Sequence, residues 1–338
     1  MSTTTPTRAT TSKTIDPDPD WKPDEELAGF QYCVLPLTAP PLEAETQAGV
    51  AELTATLIRR GEPRHRRAVL YVHGWSDYFF QPHLADFWEG RGFDFYAVEL
   101  RRYGRGLTDG MLAGYIADLD DYTEEIDWAV SQVSRDHDRV TLHAHSTGGL
   151  VAALYADAHP DLFHGVVLNS PWLDMQGSTL MRSVAVTVMR QIGSRSPTTA
   201  IPLPDNGFYA RTISAELDGE WTFDVARKTG PQFGIRAGWM RAISEGHKRV
   251  SRGLAIDTPV QVLISARSDF RRTWDAEALS ACDTVLDVKR LAAASANLGR
   301  CVTLVRVEGG LHDLALSRPA VRAVYFDEIT RWLGAYVD

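Results

Sequence analysis

The sequence has little cysteine, no long apolar run and no excess of positive charge. Three of its 338 residues are cysteines (Cys33, Cys282 and Cys301), an odd number without a C-x-x-C spacing, so we expect reduced thiols and no disulfide framework. No apolar run approaches the roughly 18 residues that a membrane-spanning helix needs. The net charge of −9 and the scattered arginines argue against a nucleic-acid partner. These absences predict a soluble protein, and by default a cytoplasmic one.

The composition is that of a globular protein apart from its N-terminal end. Hydrophobic residues make up 44% of the chain and charged residues 23%, which is typical of a packed domain. The opening residues are rich in Thr, Pro and Asp and have no apolar centre, unlike a signal peptide. We therefore expect a disordered tail over residues 1–28.

Short apolar runs alternate with amphipathic stretches, which is typical of β-α-β units that build a parallel sheet. The runs 30–35 and 51–58 alternate in polarity and are predicted to be an opening antiparallel pair. Ala68–Val72 is apolar throughout, as a central strand would be. Further strands are predicted at 93–100, before Ser146, and at 166–169, 259–264 and 302–307, with helices at 82–90, 116–133, 150–157 and 319–336. The predicted fold class is α/β, a mostly parallel central sheet flanked by helices.

The alternation stops between Pro171 and residue 256. This interval has helical patterns at 179–192 and 235–250, separated by a Pro/Gly/Ser-rich passage at 193–207. We interpret residues 171–256 as an inserted helical cap, which leaves 29–170 and 257–338 as the core.

The segment from Val140 to Leu150 places one serine where a nucleophile would lie. A buried strand ends just before Ser146, and the helical pattern of Leu150–Asp157 begins just after it. A strand, a sharp turn with serine at its apex and a helix form the context in which a G-x-S-x-G motif has meaning. Here the small flanking residues are Ala144 and Gly148. His143 and His145 have the spacing of a metal pair, but no third ligand lies at a typical distance along the chain.

A serine nucleophile needs a base, and the base needs an orienting acid. His312 follows the last predicted strand through two glycines, which would let its imidazole reach the carboxyl edge of the sheet. Asp269, just after the penultimate strand, is the predicted acid, with Asp174 as its rival. Asp313 adjoins His312 and cannot easily reach the ring of its own neighbour.

An oxyanion intermediate needs fixed N–H donors. One is the backbone N–H of Thr147, directly after the nucleophile. The other is predicted to be that of Trp75, in the loop that follows the central strand. Nearby residues predicted at the substrate pocket are His73, Gly74, Tyr78 and His145, the last through packing.

With these motifs in order, residues 29–338 resemble the α/β-hydrolase family, and within it the monoglyceride lipase and lysophospholipase-like branch. The shared marks are His73-Gly74, the segment Ala144–Gly148, Asp269 and the segment Gly310–His312. The segment Val98–Gly106 is similar to the family's D-x-R-G-x-G-x-S, with Glu for the Asp and Gly for the final Ser. The resemblance implies that the insertion covers an acyl pocket and that neither a metal nor an organic cofactor is needed.

Three functions stay open at this point. The first is a serine carboxylic-ester hydrolase acting on a small-molecule or lipid-like ester, such as a monoacylglycerol or lysophospholipid, through an acyl-enzyme. The second is an amide or peptide hydrolase similar to prolyl aminopeptidases, for which Glu216, Asp218 and Glu220 of the cap would hold an amine unless they are simply a solvated face. The third is a non-catalytic binding protein on a hydrolase scaffold.

Apolar residues of the cap have two equally simple interpretations. They line an acyl site, or they form the core of the cap itself. The residues concerned are the run 183–189, Trp221, Phe223, Phe233 and Trp239. Acyl length, head group and oligomeric state are not predicted.

Overall fold

The computed structural model describes residues 19–175, 195–202 and 206–338. Within these ranges nine strands form one sheet. Their bounds are β1 Lys22–Pro23, β2 Phe30–Pro36, β3 Thr54–Arg60, β4 Arg67–Val72, β5 Phe93–Glu99, β6 Arg139–His145, β7 Gly165–Asn169, β8 Val260–Ser265 and β9 Val302–Val307.

The strand order across the sheet is β1-β2-β3-β5-β4-β6-β7-β8-β9. The first three pairings, up to β3 with β5, are antiparallel. Every pairing from β5 to β9 is parallel. The predicted opening antiparallel pair and the predicted mostly parallel sheet are both confirmed.

Helices connect the parallel strands and cover both faces of the sheet. Those of the described residues are α1 Glu43–Gln47, α2 Pro82–Glu89, α3 Thr123–Val133, α4 Ser146–Ala158, α5 Phe208–Ile213, α6 Ala237–Arg252, α7 Ala276–Leu279, α8 Val288–Ser295 and α9 Pro319–Tyr336. The predicted helix at 116–133 is shorter, because a 3₁₀ turn at Leu119–Tyr122 precedes α3. One large core cluster includes α3, α4 and α8, and a second includes α2 and α9.

The apolar runs become central strands because both of their faces are covered. In β4 every residue after Arg67 is buried, and β5 is buried along its whole length. A strand between two layers of helices is therefore mostly apolar. The two buried carboxylates of β5, Asp94 and Glu99, accept backbone N–H groups. Helix α4 is buried from Ser146 to Ala156, which explains why its sequence is apolar rather than amphipathic.

The chain leaves the sheet after β7 and returns at β8. Two helices of this interval, α5 and α6, are described, and α6 corresponds to the predicted helix at 235–250. Gly246 of α6 lets that helix pack on the core, since a Cβ there would lie 2.9 Å from Leu119 and 3.2 Å from Leu150. The predicted helix at 179–192, with the apolar run 183–189, lies outside the described residues.

The predicted tail is too long at its C-terminal end. Residues 1–18 lie outside the described part, but Lys22–Pro23 pair with β2 as an edge strand. Asp24 is buried, and its carboxylate lies 2.7 Å from the Arg105 guanidinium. This contact with a distant residue orders a polar segment that composition alone assigns to disorder. No helix of the described residues is long and apolar enough to cross a membrane.

Candidate active site

Ser146 lies at a sharp turn between β6 and α4. Its φ is +52°, in the left-handed region that a non-glycine residue adopts only under strain. The turn requires small neighbours: a Cβ at Gly148 would lie 2.1 Å from the carbonyl oxygen of His73. Ala144 is fully buried, so its methyl group fits where the motif usually has glycine. The hydroxyl thus stands at the N-terminus of α4, where the helix dipole favours negative charge.

The His312 imidazole contacts the Ser146 hydroxyl. It follows β9 through a loop in which Gly309 has a φ of +73° and the Ser265 hydroxyl donates to the Gly310 carbonyl at 2.7 Å. His312 Nε2 lies 3.0 Å from Ser146 Oγ, and Nδ1 lies 2.9 Å from a carboxylate oxygen of Asp283. Since an ionised carboxylate only accepts, Nδ1 carries the ring proton and Nε2 is free to accept the serine proton.

The structure corrects the predicted acid. Asp269 does not contact His312; its carboxylate accepts hydrogen bonds from Arg271, which lower the pKa of Asp269. Its side chain is 18% exposed, whereas that of Asp283 is 0% exposed. The rival Asp174 lies 3.2 Å from the Arg290 guanidinium. The prediction was based on the position of Asp269 just after a strand, but this carboxylate pairs with Arg271 and not with His312.

Asp283 reaches the imidazole because the chain makes an excursion after β8. It continues past Asp269 through α7 and returns, so that residues 268 and 283 form a β-bridge. One Asp283 oxygen accepts the backbone N–H groups of Val285 and Leu286, each at 2.7 Å, which leaves the other for His312. The sequence holds one signal for this: Asp283 has apolar or small neighbours, whereas Asp269 lies among arginines.

The loop after β4 lies against the nucleophile, as predicted. A Cβ at Gly74 would lie 3.1 Å from the Ser146 Cβ. The Leu100 N–H donates to His73 Nε2 at 3.2 Å, so the His73 proton is on Nδ1, which lies 2.8 Å from the Gly74 carbonyl oxygen. Because the Gly74 carbonyl and the Trp75 N–H belong to one planar peptide, this bond also fixes the direction of the Trp75 N–H.

The residues predicted at the pocket have structural contacts of their own. His145 Nδ1 lies 3.1 Å from the Asn169 carbonyl oxygen, and the ring packs 4.9 Å from that of His312. Burial lowers the pKa of His145 to about 4 and also lowers that of His73, so both rings are neutral near pH 7. The Tyr78 hydroxyl accepts the Asp224 N–H at 2.9 Å. The side chains of His73, His145 and Tyr78 are thus engaged in contacts within the protein, and Gly74 brings its backbone against Ser146.

His143 is not half of a metal pair. Its Nδ1 accepts the Trp88 indole N–H at 3.1 Å, and its Nε2 lies 2.9 Å from the Tyr325 hydroxyl. Both ring nitrogens are thus used within the core, and burial lowers the pKa of His143 to about 3.

The segment Val98–Gly106 supports the site rather than lining it. Glu99 is fully buried, accepts the Phe79 N–H at 3.2 Å, and lies 2.5 Å from the Arg105 guanidinium. Gly104, with a φ of +52°, passes so close that a Cβ would meet the Glu99 carboxylate at 2.2 Å. The Glu that replaces the family's Asp is therefore an internal anchor between neighbouring loops.

Aromatic residues of the insertion contact His312 and Trp75. Tyr209 of α5 places its ring 5.5 Å from that of His312, edge to face. Trp239 of α6 packs 3.9 Å from the Trp75 ring, and Phe233 packs 5.9 Å from it. Trp221 instead stacks on His83 at 4.4 Å. The aromatic residues of the insertion thus fall into two groups. Trp239 and Phe233 pack on Trp75 in the loop after β4, whereas Trp221 packs on His83 instead.

Comparisons with known proteins identify the family of the chain and structures of similar fold. A family profile described as Hydrolase_4, serine aminopeptidase, S33, matches residues 63–316. No curated protein matches the sequence. Among solved structures, a monoacylglycerol lipase from Paleococcus ferrophilus is similar with a TM-score of 0.60 at 19% identity, covering 84% of this chain and 99% of that one.

Two further structures are similar. A soluble variant of the monoglyceride lipase from Saccharomyces cerevisiae, in complex with a substrate analogue, has a TM-score of 0.60 at 15% identity and covers 96% of this chain and 97% of that one. A thermophilic esterase from Thermogutta terrifontis has a TM-score of 0.55 at 14% identity, covering 91% and 100%. At such identities the likeness shows a shared fold.

Proposed function

Because the chain belongs to the Hydrolase_4 (serine aminopeptidase, S33) family of α/β-hydrolases, we propose that it is a serine hydrolase that cleaves carboxylic esters through an acyl-enzyme. The observation that carries the proposal is the continuous relay from Ser146 Oγ through His312 to the buried carboxylate of Asp283, with distances of 3.0 and 2.9 Å.

Acylation begins at Ser146. Its Oγ attacks the ester carbonyl while His312 Nε2 removes the hydroxyl proton, and the carboxylate of Asp283 stabilises the imidazolium that forms. The developing oxyanion accepts hydrogen bonds from the backbone N–H groups of Trp75 and Thr147, each worth roughly 3–4 kcal/mol in such sites. The imidazolium then protonates the leaving alcohol, and the acyl group stays on Ser146.

Deacylation repeats the same steps with water. His312 Nε2 accepts a proton from a water molecule, whose oxygen attacks the acyl carbonyl; the oxyanion returns to the same two N–H groups. Collapse of this intermediate releases the carboxylic acid and returns the proton to Ser146. The neutral state of the neighbouring His145, whose pKa is lowered to about 4 by burial, avoids a second positive charge beside the imidazolium.

The contacts of the cap favour an ester over an aminoacyl substrate. Glu216, Asp218 and Glu220, the acids that would hold a substrate amine, are exposed, and Asp218 pairs with Arg211. The described aromatic contacts beside Trp75 are apolar instead, which suits an acyl chain. A monoacylglycerol, a lysophospholipid or another acyl ester fits this environment. Two of the similar structures are also lipases of this kind by name.

Covalent labelling tests the proposal. An alkyl fluorophosphonate is expected to label Ser146 in the wild-type protein and to leave Ser146→Ala unlabelled, as read by mass spectrometry of the modified peptide. Hydrolysis of p-nitrophenyl esters should vanish in the same variant. Labelling at another residue, or ester turnover that survives in Ser146→Ala, contradicts the mechanism. A wild-type protein with neither labelling nor turnover would instead belong to the class of binding proteins.

A matched pair of substrates distinguishes an ester hydrolase from the second candidate, an amide or peptide hydrolase. Aminoacyl p-nitroanilides and p-nitrophenyl esters of fatty acids report on the same relay but differ in the bond cleaved and in the amine. We expect a larger kcat/KM for the esters, and a series graded by acyl length then locates the optimum. A preference for an aminoacyl anilide identifies a peptidase instead.

A further inference from the structure

A buried ion pair links the cap to the loop that carries Trp75. Lys228 Nζ lies 2.5 Å from one carboxylate oxygen of Asp77, and both side chains are only 2% exposed. The Lys228 ammonium also lies 5.1 Å from the Phe80 ring centre and 5.9 Å from that of Tyr209. Burying two charges is expensive, and an apolar pair of similar volume is often at least as stable. The pair therefore calls for an explanation other than stability.

Asp77 in turn contacts the backbone next to the nucleophile. Its second oxygen accepts the Gly74 N–H at 3.4 Å. The Gly74 carbonyl is held by His73 Nδ1 at 2.8 Å, so both polar groups of this residue have partners within the loop. The Trp75 N–H shares a rigid peptide with that carbonyl. The carboxylate of Asp77 thus lies one residue from the group that would bind the oxyanion.

Backbone contacts reinforce the same attachment. The Thr229 N–H donates to the Ser76 carbonyl at 3.1 Å, and the Asp224 N–H donates to the Tyr78 hydroxyl at 2.9 Å. Ser76 has a φ of +48°, a strained conformation that persists only when the surroundings hold it. The cap turn at 224–229 therefore braces three successive residues of the loop, 76–78, with the ion pair at the centre.

We propose that Lys228 is a positioning residue for the oxyanion-binding N–H of Trp75, acting from the cap through Asp77. This inference rests on the proposed function and names a group outside the relay of Ser146, His312 and Asp283. With the ammonium in place, the carboxylate is held toward the Gly74 N–H and the loop keeps its strained shape. Without it, the Trp75 N–H moves relative to the position of the oxyanion. Lys228 thus acts on the transition state and not on substrate binding.

The test compares Lys228→Met with Lys248→Met. Lys248 also pairs with an acid within the cap, Glu245 at 3.0 Å, but those side chains are 34% and 46% exposed. The main readout is the rate at which an alkyl fluorophosphonate labels Ser146, because its phosphoryl oxygen occupies the oxyanion site whatever the natural substrate is. We expect Lys228→Met to be labelled about 10–100-fold more slowly, since small misplacements of such groups have effects of about 100-fold. Lys248→Met should match the wild type.

Steady-state kinetics distinguish positioning from a structural role. In Lys228→Met, kcat for a p-nitrophenyl ester should fall in parallel with the labelling rate, while KM stays within about twofold. A trifluoromethyl ketone, which forms an oxyanion on Ser146, should lose affinity by a similar factor. Lys228→Arg retains the charge and should recover most of the labelling rate.

A double variant keeps the proposal testable if an unpaired Asp77 prevents folding. Asp77→Asn with Lys228→Met removes both charges and should fold, as judged by its thermal transition. It should still be labelled about 10-fold more slowly, because the central contact between the cap and the loop is lost. A folded Lys228→Met or double variant with the wild-type labelling rate, or a loss confined to KM, overturns the proposal, as does failure of both to fold.

The outcome is separable from failure of the proposed function. Ester turnover that persists in Ser146→Ala contradicts the function. Turnover that depends on Ser146 but is indifferent to Lys228→Met contradicts only the role of Lys228.

Discussion

The backbone N–H of Asp269 donates to the carbonyl oxygen of Asp283 at 3.1 Å, so the two acids lie on paired segments. Only Asp283 turns its carboxylate to His312, whereas Asp269 turns toward Arg271. Two carboxylates of the same type, on adjoining backbone, thus have separate tasks. One orients the imidazole and the other closes a surface loop.

We predict that Asp283→Asn and Asp269→Asn differ sharply in activity. Asparagine at 283 presents an amide that favours the wrong tautomer of His312, and comparable substitutions lower kcat by about 10⁴-fold. Asparagine at 269 only weakens a partly exposed ion pair, and its kcat should stay within about threefold of wild type. Ester kinetics on both variants, with thermal melting to confirm folding, check this. A larger loss at Asp269 would restore the acid that the strand order favoured.

The second prediction concerns the free energy of unfolding as a function of pH. Burial lowers the pKa of His83 and of His145 to about 4 and that of His143 to about 3, from 6.5. Between about pH 6.5 and pH 4 the unfolded chain binds more protons than the folded one. Each such histidine should therefore reduce stability by about 1.4 kcal/mol per unit of falling pH. Above pH 6.5 these histidines are neutral in both states, and the free energy of unfolding is not reduced by them.

His83→Gln isolates one of these contributions. The glutamine amide can still donate to the Ala315 carbonyl, which His83 Nε2 contacts at 2.9 Å, but it does not titrate. Urea unfolding at several pH values should give a shallower loss of stability below pH 6.5 than in the wild type. An identical slope in the two proteins argues against a depressed pKa at His83.

Two glycines on helices should respond in opposite directions to alanine. At Gly148 the new methyl group would collide with the His73 carbonyl at 2.1 Å, so we expect Gly148→Ala to shift the turn, lower stability and reduce kcat by at least 10-fold. At Gly334 of α9 no atom lies within 4 Å of the new methyl group. Gly334→Ala should therefore raise stability by about 0.5–1 kcal/mol, since alanine is the better helix former.

Chemical denaturation and ester kinetics on both glycine variants check this pair. Retained stability and activity in Gly148→Ala would mean that strand and helix do not approach as closely as the elbow requires. The Gly334 variant controls for a general effect of alanine in helices.

The fourth prediction concerns acyl length. Trp239→Leu removes a ring whose centre lies 3.9 Å from that of Trp75, and should shift the preferred acyl chain of p-nitrophenyl esters toward longer members. Trp221→Leu removes a ring of the same size that stacks on His83, and should leave the preference unchanged. An unchanged acyl profile in Trp239→Leu assigns this tryptophan to the core of the cap alone.

Sequence patterns predict the sheet well because its central strands are covered on both faces and are therefore mostly apolar. Ala68–Val72 and the strand before Ser146 could be recognised in this way, and their order places Ser146 and His312 at one sheet edge. The edge strand Lys22–Pro23 could not be recognised, since it is only two residues long. It is held by pairing with β2 and by the contact of Asp24 with Arg105. Such long-range contacts leave no local pattern.

The acid was missed for a related reason. Proximity to a strand end in sequence favours Asp269, but the excursion through Ala276–Leu279 brings a residue 14 positions later to the imidazole. The return of the chain to residue 283 is fixed by backbone hydrogen bonds around residues 267 and 283. Such bonds do not depend on side-chain identity, so they leave no signal in the sequence. Likewise, nothing in the spacing pairs Lys228 with Asp77, because that contact joins the insertion to a loop 151 residues away.

The backbone of Trp172 restricts how far the insertion can move when a substrate enters. Its N–H donates to the carbonyl oxygen of Ser146 at 2.9 Å, and its own carbonyl lies 2.8 Å from His247 Nε2 on α6. The residue at which the insertion departs is thus tied both to the nucleophile and to the helix that leads back to the core. A rigid outward swing of the entire insertion would pull Ser146 out of register with His312. If Ser146 and His312 act as proposed, we therefore expect Trp172 and α6 to stay in place while substrate enters.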